Sequence, residues 1–160
     1  MTDARWLDID DDLEGAIRHF QMAVRIFDDG AFDDPGFKGY RDTMAFMHSM
    51  QSAHTSAEAA FVRLLAILDE ALPSGPDWHE ALIRRLTRPV SGDYARPALL
   101  SDALAADFDE TRRFRHRAMH SYEGFDKARS VPAVEAAKRI VTSLPAAVEA
   151  FRRIVDPPGE

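Results

Sequence analysis

Apolar side chains recur along most of the chain in steps of three and four residues, and no stretch alternates convincingly between apolar and polar positions. This spacing places the apolar groups on one face of an α-helix. The longest run extends from Met47 to Leu72 and keeps the pattern until Pro73 interrupts it. The sequence therefore predicts an all-α protein.

Proline, glycine and aspartate residues divide this pattern into four long helices and one short helix. The first helix is predicted to end at Gly30, and the second to run from about Asp42 to Leu72. Asp77 is predicted to cap the short third helix, which ends before the loop 89–97.

The last two helices contain the remaining prolines of interest. Pro97 is predicted to open the fourth helix and Gly124 to end it. The final helix contains Pro145, which lacks a backbone donor and is expected to kink the helix or to restart it after Ser143. Together the helices predict an up-and-down bundle that forms one domain over residues 1–160.

The net charge of −7 at first argues against a nucleic-acid partner, because phosphate binding requires a basic surface. Residues 1–36 carry the whole excess, with ten acidic and three basic side chains, whereas the rest of the chain has 17 of each. This acidic segment is expected to be a solvated helix face or an interaction surface. The sharpest local excess of positive charge is a cluster near the end of the fourth helix: Arg112, Arg113, Arg115, His116, Arg117 and His120. A local RNA site is therefore compatible with an acidic average.

The chain contains no cysteine, so a disulfide, a zinc–thiolate centre and a cysteine nucleophile are excluded. No stretch approaches the ~20 apolar residues of a membrane-spanning helix. The N-terminus also lacks the basic-then-apolar order of a signal peptide. We therefore expect a cytoplasmic protein without a membrane partner.

Residues 114–126 contain two arginines, two histidines and a tyrosine near the predicted end of the fourth helix. His116 and His120 are four residues apart and share one helical face. Arg115 and His120 point about 140° from each other on a regular helix. Either the helix end is irregular, or the site is composed of two copies of this segment that meet across a dimer.

The spacing Arg115-x4-His120-x-Tyr122 resembles the R-x4-6-H motif of the HEPN superfamily, in the R-x4-H-x-Y form of the HepT-like ribonuclease toxins. The resemblance covers about residues 45–130. Met119 departs from the pattern, because relatives often carry a second arginine there. Further matches to one HepT-like subfamily are the polar pair His54 and Glu58, then Asp77-Trp78-His79, Leu82, Arg96-Pro97, and Arg113-Phe114-Arg115-His116.

The resemblance implies a metal-independent endoribonuclease without a cofactor. It implies a homodimer in which two motifs face one another across a composite active site. It also implies a partner antitoxin of the minimal nucleotidyltransferase type, which attaches AMP to Tyr122. Bulk and negative charge at that position would block RNA from the site.

The motif residues fit this chemistry on their own terms. His120 is the candidate proton carrier, because histidine titrates near neutral pH. Arg115 is the candidate that stabilises the negative charge of the phosphorane-like transition state. The remaining candidates are His116 as a supporting donor or second proton carrier, Arg112 and Arg117 as RNA contacts, and His54 and Glu58 as supporting residues.

Two alternatives remain open at the level of sequence. The pairs His116/His120 and His54/Glu58 each have the i, i+4 spacing that lets two side chains share a metal ion, although no H-E-x-x-H arrangement is present. A non-catalytic HEPN module or a structural adaptor is the other alternative. His54 and Glu58 are also expected to be buried and hydrogen-bonded, and His79 to pin the short helix.

Overall fold

A computed structural model describes residues 4–120 and 125–158, and these ranges form five α-helices. The helices are α1 (Ala4–Asp29), α2 (Phe37–Ile67), α3 (Trp78–Leu86), α4 (Asp102–His120) and α5 (Lys127–Val155). Extended pairing in these ranges is limited to an isolated bridge between Val90 and Arg96. The prediction of an all-α fold is confirmed.

The four long helices pack in a ring in which α1 contacts α2 and α5, and α4 contacts α2 and α5. Contacts at the helix ends show that α1 is antiparallel to both of its neighbours. Arg63 near the end of α2 pairs with Asp8 and Asp12 near the start of α1, at 3.3 and 2.8 Å. The Trp6 indole at the start of α1 donates to Asp156 at the end of α5, at 2.7 Å.

Aromatic pairs show the same antiparallel order between α2 and α4. Phe46 packs edge-on against Phe114 with ring centroids 5.5 Å apart, and Phe61 packs against Phe108 at 5.2 Å. The short helix α3 lies against α4 and α2. The result is the predicted up-and-down bundle of four long helices and one short helix.

The predicted bounds of α2 are wrong at both ends, since the helix spans Phe37–Ile67 instead of about 42–72. Its C-terminal end is set by Asp69, which adopts a positive φ of 56°. A left-handed residue cannot continue a right-handed helix. The apolar stripe that predicted α2 includes Leu68 and Leu72, and it therefore continues beyond the end of that helix.

The predicted start of α4 near Pro97 is also wrong, because the helix begins at Asp102. The backbone amides of Leu99 and Leu100 instead donate to the Leu86 carbonyl at the end of α3, at 2.9 and 3.1 Å. Ser101 then caps α4, with its hydroxyl accepting from the Leu104 amide at 3.1 Å. The segment before α4 is thus bonded to α3.

Two smaller expectations also need correction. Asp77 occupies the N-cap position of α3, but its side chain makes no capping hydrogen bond. Helix α5 runs through Pro145, so of the two expected outcomes, a kink or a restart after Ser143, the restart does not occur. Pro145 lines an apolar groove between α1 and α5.

The loop before α4 is held by a buried arginine. Arg96 is 4% exposed and its guanidinium pairs with both carboxylate oxygens of Glu70. The same side chain donates to the carbonyls of Arg88 and Pro97, at 2.9 and 3.1 Å. Each of the three guanidinium nitrogens of this buried cation donates a hydrogen bond, so the loop is held between α3 and α4.

Over residues 4–120 and 125–158, no helix combines the length and the apolar character needed to cross a membrane.

Candidate active site

A cleft of about 310 Å³ opens where the start of α3 meets the C-terminal half of α4. Four of the predicted site residues line it from α4: Arg112, Arg115, His116 and His120. The segment at the start of α3 supplies Asp77, His79 and Glu80. The structure thus brings most of the candidate motif to one concave surface and adds residues from a second helix.

Arg115 is the most extensively bonded side chain of the cleft. Its Nη1 donates to Glu58 Oε1 at 2.6 Å and to Thr55 Oγ1 at 3.3 Å. Its Nη2 lies 3.1 Å from His79 Nδ1. Only 14% of the side chain is exposed, so α2 and α3 hold the guanidinium in one orientation at the wall of the cleft.

Glu58 connects the arginine to the short helix. While Oε1 accepts from Arg115, Oε2 lies 2.5 Å from His79 Nδ1. Burial alone raises the pKa of this carboxyl, but its interactions with His54, His79 and Arg115 outweigh burial and lower the pKa to about 2. Glu58 is therefore a carboxylate at any ordinary pH and can only accept hydrogen bonds.

His54 lies beneath Glu58 and is fully buried. Its Nδ1 is 2.7 Å from Thr111 Oγ1, and the Thr111 hydroxyl donates to the Phe108 carbonyl at 3.0 Å. Because the hydroxyl has one proton, His54 must be the donor in the first contact. Burial lowers the pKa of His54 despite the nearby carboxylate. Its Nε2 faces Glu58 Oε2 at 3.7 Å.

We expect the protein to lose stability as the pH falls from about 5 to about 2. Glu58 keeps its charge in the folded state down to a pKa of about 2, whereas the unfolded chain takes up the proton near 4.5. Ionised Glu58 therefore stabilises the fold by about 3 kcal/mol above pH 5, and this contribution is lost through the lowered pKa. Urea unfolding of the wild type and of Glu58→Gln between pH 7 and pH 3 measures how much of the free energy of unfolding depends on ionised Glu58. Equal losses of stability in the two proteins would contradict the prediction.

His116 and His120 form the exposed part of the site. Their rings contact each other, with centroids 4.5 Å apart and planes inclined by 59°. Helix α4 is continuous over residues 115–120, so Arg115 and His120 belong to one helical stretch. Arg115 is bonded to α2 and α3, while the two histidines remain exposed at the mouth of the cleft.

The two predicted RNA-binding arginines lie on different surfaces. Arg112 lines the cleft and is held by Asp109 at 2.7 Å. Arg117 instead lines a groove of about 630 Å³ between α2, α4 and the start of α5, together with His48 and Arg129. Tyr122, the predicted modification site, lies outside the described residues.

His79 is a residue of the cleft that was not among the predicted site residues. It was expected only to pin α3, yet the ring contacts both Glu58 and Arg115 and lines the cleft. The sequence signal that could have found His79 was its place in Asp77-Trp78-His79, a segment that resembles a HepT-like subfamily. That resemblance by itself assigns no chemical role to the residue. Its ring also packs on the neighbouring Trp78, with centroids 3.8 Å apart.

The alternative of a metal site requires side chains that are available to bind the ion. Glu58, one of its four candidate ligands, is occupied by the guanidinium of Arg115 and by His79. Across residues 4–120 and 125–158, no three His, Asp or Glu side chains are grouped as a metal site.

Fold and site together define a class: a helical bundle with an arginine–histidine cleft between its third and fourth helices. A model of the HepT-like protein family matches residues 45–155, which includes every residue that lines this cleft. The chain belongs to the HepT-like family, within the HEPN superfamily. Comparison with curated proteins and with solved structures gives no match.

Proposed function

We propose that the protein is a metal-independent endoribonuclease that cleaves RNA through its own 2′-hydroxyl. The observation that carries the proposal is the convergence of Arg115, His116 and His120 on one cleft of a HepT-like protein. The cleft presents a fixed cation next to exposed imidazoles. Phosphate transfer requires both a group that binds developing negative charge and a group that moves protons.

Arg115 is the proposed binder of the scissile phosphate. Attack of the 2′-oxygen on phosphorus places additional negative charge on the two non-bridging oxygens, and a preoriented guanidinium stabilises that charge. Its contacts with Glu58 and His79 reduce the rearrangement needed to meet the transition state. His120 is the proposed donor to the leaving 5′-oxygen, with His116 beside it as the supporting residue.

We expect His120→Ala to lower the rate of RNA cleavage by about 10²–10⁴-fold, the usual contribution of a positioned acid or base. Cleavage of a fluorescent RNA by purified protein in excess chelator measures the rate. His19→Ala on α1, which replaces a histidine far from the cleft residues, is the matched control. Equal activity of His120→Ala and the control would rule out the assigned role, and loss of wild-type activity in chelator would rule out a metal-independent reaction.

We also propose that the protein acts as a homodimer with a composite site. The arginine of each motif is directed toward α2 and α3, while His116 and His120 remain exposed, which leaves them available to a second copy. Sedimentation at micromolar concentration should give a mass of two chains. A monomer that retains full cleavage activity would contradict the composite site.

The proposed partner is an antitoxin of the minimal nucleotidyltransferase type that attaches AMP to Tyr122. The position is two residues beyond His120, so a phosphate there would add negative charge next to the proposed catalytic groups. Intact mass after co-expression with the adjacent reading frame should show the increment of AMP. The Tyr122→Phe protein should show none, and an increment that persists in it would assign the modification to another residue.

A further inference from the structure

We propose that His79 is the general base of the reaction and that Glu58 is the residue that positions it. This inference rests on the proposed ribonuclease function and adds a second proton carrier, from a different helix, to the Arg115–His120 motif. Cleavage through the 2′-hydroxyl needs one group to remove a proton and another to supply one. The cleft contains an imidazole suited to each task.

The contact with Glu58 fixes the tautomer of His79. Glu58 Oε2 lies 2.5 Å from His79 Nδ1, and an ionised carboxylate can only accept. Nδ1 therefore carries a hydrogen and donates it to Glu58. In the neutral ring, the lone pair is then on Nε2, which is the nitrogen that can take a proton. A carboxylate that holds the opposite nitrogen of a histidine also stabilises the imidazolium when it forms.

The Nε2 nitrogen of His79 lies beside Arg115. Arg115 Nη2 lies 3.4 Å from His79 Nε2 and 3.1 Å from Nδ1, so the guanidinium lies directly beside the ring. If Arg115 binds a non-bridging oxygen of the scissile phosphate, the short distance between the guanidinium and Nε2 places the imidazole beside the same phosphate. His79 also lines the cleft, and its side chain is 32% exposed, so RNA can reach it.

The His79 ring is surrounded by charged groups of both signs. Glu58 on α2 and Arg115 on α4 contact it with opposite charges, which offset one another. His54 lies behind Glu58, on the buried side. The remaining titratable groups of the cleft are Asp77 and Glu80 on its own side, and Arg112, His116 and His120 on α4.

Two protons move in the proposed reaction. His79 Nε2 takes the 2′-hydroxyl proton as the 2′-oxygen forms a bond to phosphorus. The bond from phosphorus to the 5′-oxygen breaks, and that oxygen receives a proton from the imidazolium of His120. The products are a 2′,3′-cyclic phosphate and a 5′-hydroxyl, and solvent exchanges the protons of the two histidines afterwards.

A pair of substitutions at one position separates a catalytic role from a positioning role. Asparagine places an amide N–H close to the position of Nδ1, so His79→Asn retains a donor to Glu58 but has no base. His79→Ala removes both. If His79 is the base, each variant loses about 10²-fold or more of the cleavage rate. If the ring only orients Glu58 and Arg115, His79→Asn should cleave at close to the wild-type rate.

Three further measurements complete the test. The wild-type rate should fall in acid, where imidazole is protonated, and this limb should be missing from the His79→Asn profile. Added imidazole should restore part of the activity of His79→Ala. Affinity for an RNA blocked with 2′-O-methyl groups should be unchanged in His79→Asn, which retains the donor to Glu58. A His79→Asn protein that cleaves within about threefold of wild type would overturn the inference, whereas a wild-type protein without RNA cleavage would overturn the proposed function itself.

Discussion

Arg115→Ala is expected to reduce RNA cleavage by about 10³–10⁵-fold, the range of arginines that stabilise phosphoryl-transfer transition states. The substitution removes the charge that meets the scissile phosphate. It also removes the group that joins Glu58 and Thr55 of α2 to His79 of α3. The loss should fall on the chemical step, so single-turnover rates with saturating protein are the measurement.

Two companion variants make the Arg115 prediction specific. Arg115→Lys retains the charge but not the planar fork that bonds to two partners, so it should recover only part of the activity. Arg153→Ala removes an exposed arginine that pairs with Glu149 on α5, and it should cleave as the wild type does. An Arg115→Ala protein that is folded and cleaves within tenfold of wild type would show that the cation has another role.

Arg96→Ala is expected to lower the free energy of unfolding by about 3–5 kcal/mol, the usual effect of removing one partner of a buried ion pair. The Arg96 side chain is 1% exposed and bonds to Glu70 and to two backbone carbonyls. Alanine leaves that carboxylate and those carbonyls without their donor. Urea unfolding at pH 7 measures the loss.

The expected loss at Arg96 has an internal check. Replacing both members of the pair, Arg96→Met with Glu70→Leu, removes the uncompensated charge and should recover part of the stability. Recovery should be incomplete, because the carbonyls of Arg88 and Pro97 still lose a donor. Arg153→Ala, with an exposed side chain, should change stability by less than about 0.5 kcal/mol. An Arg96→Ala protein as stable as this control would contradict the prediction.

Arg96 shows that a residue of the family pattern can have a structural role. Its dipeptide with Pro97 belongs to the pattern that resembles HepT-like proteins. In the structure the side chain holds the loop between α3 and α4 through four hydrogen bonds. Arg96 therefore stabilises the connection between the two helices that form the cleft.

Much of the fold was predictable because helix formation depends on local periodicity. Residues three and four apart share a face whatever the rest of the chain does, and so the stripe from Met47 predicted α2. The incorrect predictions concern helix ends, where the conformation of one residue or one hydrogen bond to a distant residue determines the boundary. The left-handed backbone of Asp69 ends α2. The Leu86 carbonyl accepts from the amides of Leu99 and Leu100, which the position of Pro97 had placed in α4.

By itself the sequence determined the all-α fold and the family motif, because both are written in residues that are neighbours along one helix. Arg115, His116 and His120 stay within one turn or two of each other in any folded form of α4. Only the tertiary structure decided what surrounds Arg115. Glu58 is 57 residues away and His79 is 36 residues away, and they reach the guanidinium because of how α2 and α3 pack against α4. That packing depends on the rotation and offset of whole helices, which no local pattern specifies.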